Sequence, residues 1–265
     1  MKSLIAGLML LSVGVLAGDP GWQISKARQA MEDGKLGLAW SRLVQGEETA
    51  MRQGARSVWI AARCQRTELA LLRGEIELAD SLCPKLSLLG ERTVDSARIR
   101  LACARVRLAQ GKASQAGVEA WEAHRLAHAS DDDALEAVAW LALSRSEFLT
   151  GKASEAKQSL SEARSLSDDL GHLLAQVDLE EARQCQAQPN EALRLVRRAK
   201  ERFRQVRWPT GVVRALEQEA AILDGTPDKA AALQAWSELE DLANRLGLRS
   251  LSAKAAAGRV TAASR

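Results

Sequence analysis

A six-residue stretch that occurs twice organises the sequence: it reads GKASQA at residues 111–116 and GKASEA at residues 151–156. In both copies a small residue is followed by four others and then by an alanine. The same spacing occurs at Gly34 to Ala39, Gly74 to Ala79, Ala187 to Ala192 and Gly225 to Ala230. The small residues therefore stand at 34, 74, 111, 151, 187 and 225, with steps of 40, 37, 40, 36 and 38. Self-similarity at such a period is typical of repeat architectures.

Each repeat holds two helical patterns. Positions ten residues before the small residue are apolar: Ile24, Cys64, Leu101, Leu141, Val177 and Ala215. Positions seven before it are small in the first four repeats: Ala27, Thr67, Ala104 and Ser144. Offsets of ten and seven share one helix face, and the glycine then ends that helix. The repeat is thus a helical hairpin, present about six times, and a last helix from roughly Arg249 to Ala263 is expected to cover the end of the stack.

The start of the second helix in each hairpin is also predicted. Polar residues of the type that cap helices precede the repeat alanine: Ser114, Ser154, Asn190 and Asp228. Their side chains are suited to accept hydrogen bonds from the free N–H groups of a first turn, and Pro189 and Pro227 suit a helix start.

This pattern resembles the tetratricopeptide repeat (TPR) family over nearly all of residues 23–247. The clearest units run from Leu101 to Ala123 and from Leu141 to Ala163, where the turn glycine is followed by alanine five and twelve residues later. The period exceeds the family's usual length of about 34, Tyr is absent, and only Trp140 matches the family's first-helix Trp. The long-repeat bacterial variety is the best match. The resemblance implies an all-α, right-handed solenoid whose first helices line a concave, protein-binding groove.

The first eighteen residues differ from the rest. They contain one early lysine, an apolar stretch from Leu4 to Leu16 and then small residues. This is the three-part layout of a secretory signal peptide, and the stretch is short for a membrane-spanning helix. We therefore predict a signal peptide at residues 1–18, a mature repeat domain at 19–265 and a periplasmic or envelope-associated location. An uncleaved anchor and a buried N-terminal helix are the alternatives.

Composition and motifs argue against several function classes. The chain has 37 basic and 34 acidic residues, a balance that does not favour nucleic-acid binding. Only 3% of residues are aromatic, which disfavours a β-sandwich or barrel. Ser154 to Lys157 matches the SxxK motif of penicillin-interacting enzymes, but the partner motifs SDN and KTG are missing. We expect no enzyme activity and no cofactor.

Four further groups of residues are candidate sites. His124 and His128 share a helix face but have no carboxylate or cysteine at ligand spacing, so we interpret them as ordinary imidazoles rather than a metal site. Residues 130–133 (SDDD) are interpreted as a helix cap rather than a cation loop. The four cysteines, Cys64, Cys83, Cys103 and Cys185, are interpreted as buried small residues, with a Cys64–Cys103 disulfide as the alternative. Three tryptophans are expected to be core wedges: Trp40, Trp121 and Trp236.

One charged column predicts a partner-binding surface. Six residues before each small residue the side chain is charged: Arg28, Glu68, Arg105, Arg145, Glu181 and Glu219. A column with basic residues mid-array and acidic residues toward the C-terminus would orient a peptide or helix of a partner protein, with its acidic end toward the middle. The alternative is an ordinary solvated face.

A basic helix is the second candidate surface. Its cationic residues include Arg194, Arg197, Arg198, Arg202 and Arg204, and an apolar stripe occupies its other face. Such a stripe can bind anionic lipid or an acidic polymer, or it is simply solvated. The favoured function is an exported, non-catalytic protein-binding scaffold. The alternatives are an envelope-docking module that uses the basic helix, and the recruiting or sensor arm of an enzyme whose catalytic domain lies elsewhere.

Overall fold

The computed structural model describes residues 19–83, 93–185 and 187–264, and the predicted signal peptide lies outside them. Within these ranges the chain is helical, with no strand and no helix long and apolar enough to cross a membrane. The described residues form thirteen helices: α1 (Pro20–Glu32), α2 (Leu36–Arg52), α3 (Arg56–Leu72), α4 (Ile76–Leu82), α5 (Thr93–Ala109), α6 (Ala113–His128), α7 (Asp133–Leu149), α8 (Ala153–Ser165), α9 (Gly171–Gln184), α10 (Pro189–Gln205), α11 (Pro209–Asp224), α12 (Lys229–Leu246) and α13 (Arg249–Ser264).

Consecutive helices pack in pairs, as an all-α solenoid requires. The predicted turn glycines account for the first four hairpins. Gly34, Gly74, Gly111 and Gly151 have φ of 73°, 75°, 74° and 80°, in the left-handed region. A side chain is strained there and glycine is not, so these four positions end the first helix of each pair.

Three of the predicted helix caps are wrong. Helices α6 and α8 begin at Ala113 and Ala153, so Ser114 and Ser154 lie inside them. The reason is the tightness of the glycine turn: the N–H of Lys112 already bonds the carbonyl of Arg107 at 2.9 Å, which leaves no room for a longer connection. Helix α10 begins at Pro189, ahead of Asn190.

Two further predicted caps, Asp228 and the 130–133 stretch, do lie at the start of a helix. Asp228 caps α12 and accepts a hydrogen bond from the Ala231 N–H at 3.0 Å, as expected. In the 130–133 stretch Asp132 is the cap, accepting from the Leu135 N–H at 3.0 Å. The Ser130 hydroxyl instead donates to carbonyls at the end of α6.

The first helices of the six hairpins contact one another in a closed series. Helix α1 contacts α3, α3 contacts α5, α5 contacts α7, α7 contacts α9 and α9 contacts α11, which in turn contacts α1. Among the described residues the second helices pack mainly on first helices, and α12 also packs on α13. The first helices therefore form an inner ring, and the second helices form an outer layer.

One apolar cluster joins the beginning of the array to its end. Ala30, Leu36 and Leu69, from the first two hairpins, belong to the same buried cluster as residues of α9 to α13. Those partners include Leu179, Phe203, Leu216, Trp236 and Leu239. The array thus makes a full circuit, so its two ends bury apolar surface against each other.

The turns of the first two hairpins lie against the last helices. A Cβ added to Gly34 would lie 2.8 Å from Leu246 Cδ2, at the end of α12. One added to Gly74 would lie 3.1 Å from the Ser250 hydroxyl, in the first turn of α13. The last helix, predicted to cover the end of the stack, therefore packs on α12 and also contacts the second hairpin.

This closure predicts different costs for two glycine substitutions. Gly34→Ala and Gly54→Ala both place a side chain at positive φ (73° and 67°), which costs about 1–2 kcal/mol. Nothing lies within 4 Å of a Cβ at Gly54, whereas at Gly34 the Cβ meets Leu246. In urea unfolding we expect Gly34→Ala to cost about 1 kcal/mol more. Adding Leu246→Ala should remove that difference; equal costs for the two glycine variants would contradict the contact.

Candidate functional site

The predicted charged column does not form one continuous surface. Glu68 of α3 and Arg105 of α5 pair across the inner ring, with Nη1 and Oε1 2.5 Å apart. Arg145 of α7 lies 3.6 Å from the carboxylate of Glu180 on α9, which is the neighbour in sequence of the predicted column member Glu181. Arg28 of α1 is exposed.

The last two members of the column face the outer layer. Glu181 lies 2.6 Å from Arg164 of α8. Glu219 of α11 is buried and lies 2.9 Å from Arg197 and 2.5 Å from Lys200, both of α10. The structure therefore divides the column between the ring interior and the interface between the two layers.

The displacement of Glu181 from the ring interior has a simple cause in the register of α9. In the first four hairpins the column residue lies four positions before the end of its helix, as Arg145 does before Leu149. Helix α9 ends at Gln184, three residues before Ala187 rather than two, so its equivalent position is Glu180. Counting from the helix end rather than from the small residue of the turn would have identified it.

Eight charged side chains on first helices and α13 form what we call the inner cluster. Five are cationic and three are acidic: Arg105, Arg145, Arg183, Arg214 and Lys254, with Glu68, Glu180 and Glu217. Arg183 lies 2.8 Å from Glu180, and Lys254 lies 2.6 Å from Glu217. Within this cluster cations outnumber carboxylates by two, so the inner cluster carries a positive surplus.

Arg214 on α11 occupies a distinctive place in this cluster. Glu68, Arg105, Arg183 and Glu217 all act electrostatically on its guanidinium group. Within the ranges given above no carboxylate lies within ion-pair distance of it, unlike the other four cations. The surrounding protein displaces water and lowers the pKa of Arg214, yet its side chain is solvent-accessible. Both facts place it in a concave recess.

A cavity of about 240 Å³ opens beside Arg214 at the place where the array closes. Its walls come from the end of α3, from α11 and from the start of α13. Leu71, Leu72, Val213 and Leu251 give it apolar surface, and Arg73, Arg214, Glu217 and Lys254 give it charge. The sequence offered little to indicate this recess, because it joins residues almost two hundred positions apart.

Helix α10, the predicted basic surface, directs much of its charge inward. Arg198 and Arg202 each lie 2.5 Å from Asp178 of α9, whose side chain is 0% exposed. Arg164 of α8 approaches the same carboxylate at 3.5 Å. Arg197 pairs with the buried Glu219. These guanidinium groups neutralise buried carboxylates between the two helix layers.

The remaining basic residues of α10 pair along their own helix. Arg194 lies 2.5 Å from Glu191, and Arg204 lies 4.0 Å from Glu201. Both pairs are solvent-exposed, and pairs of this kind contribute little to stability.

The histidine pair has a carboxylate neighbour that sequence spacing did not reveal. Glu136 of α7 lies 3.3 Å from Nδ1 of His124 and 3.2 Å from Nδ1 of His128. No group of three or more side chains suited to a metal ion occurs in the part of the chain described above.

Trp121, expected to be a core wedge, is 49% exposed and packs on His124 at the surface. Trp236 is 4% exposed and does wedge between α12 and α13.

The cysteines are half-buried, and two of them are in contact. Cys83 Sγ and Cys103 Sγ are 2.9 Å apart. Cys64, the predicted alternative partner of Cys103, instead donates to the carbonyl of Arg98 at 3.7 Å.

No model of a known protein family matches the chain, and no curated protein sequence matches it. Among solved structures it is similar to BtubC (BKLC) from P. vanneervenii. The sequences are 15% identical, the match covers 92% of this chain and 91% of that one, and the TM-score is 0.44. A likeness at this level supports no inference about function.

The ion pairs between the layers predict a large effect for Asp178→Asn. The substitution leaves three arginines around a neutral buried amide, and breaking such a pair costs about 3–5 kcal/mol. Glu191→Gln removes a carboxylate from an exposed pair and should leave the free energy of unfolding unchanged. Urea denaturation of both variants measures the contrast. A small loss for Asp178→Asn would show that this carboxylate does not hold the two layers together.

Proposed function

We propose that this chain is a non-catalytic, protein-binding scaffold whose inner face binds an acidic segment of a partner protein. The proposal includes a right-handed, TPR-like array of six hairpins with a capping helix, and export to the periplasm or cell envelope. The observation that carries it is the positive surplus of the inner cluster, with Arg214 lining an open recess.

Arg214 is the strongest argument for an anionic partner. Within the described residues Arg214 has no carboxylate at contact distance, and the protein around it displaces part of the water that would otherwise solvate its guanidinium group. A carboxylate from a partner would supply the missing counter-charge and accept the paired N–H groups of the fork, a geometry that arginine offers and lysine does not. The recess is therefore suited to bind a carboxylate that its own side chains do not provide at contact distance.

The rest of the inner cluster is arranged to support such binding. Glu180 fixes Arg145 and Arg183, and Glu68 fixes Arg105, so these guanidinium groups are held in place before a ligand arrives. A preformed surface loses little entropy on binding. Because the surrounding helices exclude part of the solvent, charges in the recess are screened less than charges on an open surface.

The contacts of α10 weigh against the envelope-docking alternative. Arg197, Arg198 and Arg202 are engaged with buried carboxylates of neighbouring helices. An anionic lipid would have to compete with those internal pairs, whereas Arg214 has no such pair to give up.

A binding measurement with a defined acidic probe tests the proposal. The probe is a fluorescently labelled oligoglutamate peptide, compared with an oligolysine peptide of equal length. We expect oligoglutamate to bind with an affinity that falls as salt rises. Arg214→Gln should weaken that binding about 10- to 100-fold, the worth of one charge-assisted pair. It should unfold no more easily than wild type, because it removes a charge that has no partner.

Two further variants complete this test. Arg52→Gln removes an exposed cation on the outer layer and should bind as wild type does. Arg105→Glu/Arg145→Glu should abolish both peptide binding and capture of any partner by crosslinking from the native envelope fraction. Equal binding of both peptides, or wild-type binding by Arg214→Gln, would contradict the proposal.

A further inference from the structure

Two cysteine sulfur atoms lie unusually close together in the second and third hairpins. Cys83 directly follows the last turn of α4, and Cys103 lies in the middle of α5. Their Sγ atoms are 2.9 Å apart, about 0.9 Å more than the length of a covalent S–S bond. Small side-chain rotations cover such a difference without movement of the helices.

The geometry points to Cys83 and Cys103 as a site of covalent modification, where reaction with a disulfide-bearing oxidant joins them in an intramolecular disulfide. The site follows from the two sulfur positions and does not depend on the proposed function or on export. It names a different partner for Cys103 from the one that the sequence suggested.

The surroundings of Cys64 explain why it is not that partner. Its thiol donates to the carbonyl of Arg98 at 3.7 Å. Burial is the main cause that raises the pKa of Cys64 to about 12, with Glu68 adding to it. A thiol this difficult to ionise is a poor nucleophile, so Cys64 is protected from exchange even though it lies near Cys103.

The pKa values of the two thiols in contact shift in opposite directions, and this difference indicates which thiol attacks the oxidant. The hydrogen bond between the two thiols is the main cause that lowers the pKa of Cys103. Arg107 and Arg100 lower it further, while burial and Glu119 oppose them. The same hydrogen bond and burial raise the pKa of Cys83. Cys103 is therefore the attacking thiolate and Cys83 the resolving thiol.

The reaction proceeds by two exchanges. The Cys103 thiolate attacks one sulfur of the oxidant RSSR, the oxidant's S–S bond breaks, and RS⁻ leaves. Cys83 then gives up its proton to that thiolate and attacks the Cys103 sulfur, releasing the second RS⁻, which takes a proton from water. The products are one protein disulfide and two RSH. Two protein thiols are oxidised, and one small disulfide is reduced.

The bond would join two hairpins beside a packed region. Cys83 packs against the cluster formed by Ala70, Ala79, Leu82 and Val106. The two cysteines are 20 residues apart, so the bond closes a loop of that length. Closing it restricts the unfolded chain and should raise the midpoint of thermal unfolding by roughly 5–10 °C.

The test uses the purified, reduced protein and oxidised glutathione as the probe. After incubation the remaining thiols are blocked with N-ethylmaleimide, and peptide mass spectrometry locates each cysteine. We expect a cross-linked pair containing Cys83 and Cys103, while Cys64 and Cys185 carry the blocking group. The intact protein should lose the mass of two hydrogen atoms before blocking.

Variants separate the site from general thiol oxidation. Cys83→Ser should stop at the mixed disulfide of glutathione with Cys103. Cys185→Ser is the matched control, because Cys185 is also half-buried and also directly follows the last turn of a helix. This variant should still form the Cys83–Cys103 bond. A Cys64–Cys103 link, or glutathione on both Cys83 and Cys103 with no link between them, would overturn the inference. Comparing oxidised with reduced wild type keeps the thermal test independent of how the variants fold.

Discussion

The apolar cluster shared by the first and last hairpins is the contact on which the rest of this structure depends. In an open solenoid each repeat touches only its neighbours, and stability is a sum of local terms. Here Ala30, Leu36 and Leu69 lie in one cluster with residues of α9 to α13. Removing the beginning of the array would therefore expose apolar surface at its end. Closure couples hairpins that are distant in sequence.

Closure also explains the two ways in which the chain uses arginine. Between the layers, Arg198 and Arg202 surround the fully buried Asp178 and serve stability. Inside the ring, the first helices α3, α5, α7, α9 and α11 and the last helix α13 contribute the charges of the inner cluster. Most of these charges pair across adjacent helices, and Arg214 is left without a contacting carboxylate in the described chain. The same residue type thus pairs with buried carboxylates between the layers and, in the function we propose, binds an acidic partner in the recess.

The sequence predicted the hairpins well because their determinants are local. The turn glycines, the apolar spacing and the last helix follow from the geometry of single helices. Closure could not be predicted, since it depends on the small rotation between successive hairpins, summed over the array. The register of α9 was missed for a local reason: Ala187 is not the residue that ends the helix. The contact of Cys83 with Cys103 and the exposure of Trp121 were not predicted, because both depend on how neighbouring helices are oriented, which the sequence does not state.

An engineered crosslink between the two ends tests closure most directly. A Cβ added at Gly74 lies 3.6 Å from the Cβ of Ser250, within the range of disulfides. The double variant Gly74→Cys/Ser250→Cys should form that bond under mild oxidation, identified by peptide mass spectrometry. Gly151→Cys/Ser250→Cys is the matched control, because Gly151 has the same left-handed turn with φ of 80° and no atom within 4 Å of its Cβ. A closed array predicts a bond only in the first variant. If the first variant crosslinks no faster than the control, the array is open and the shared apolar cluster does not exist in solution.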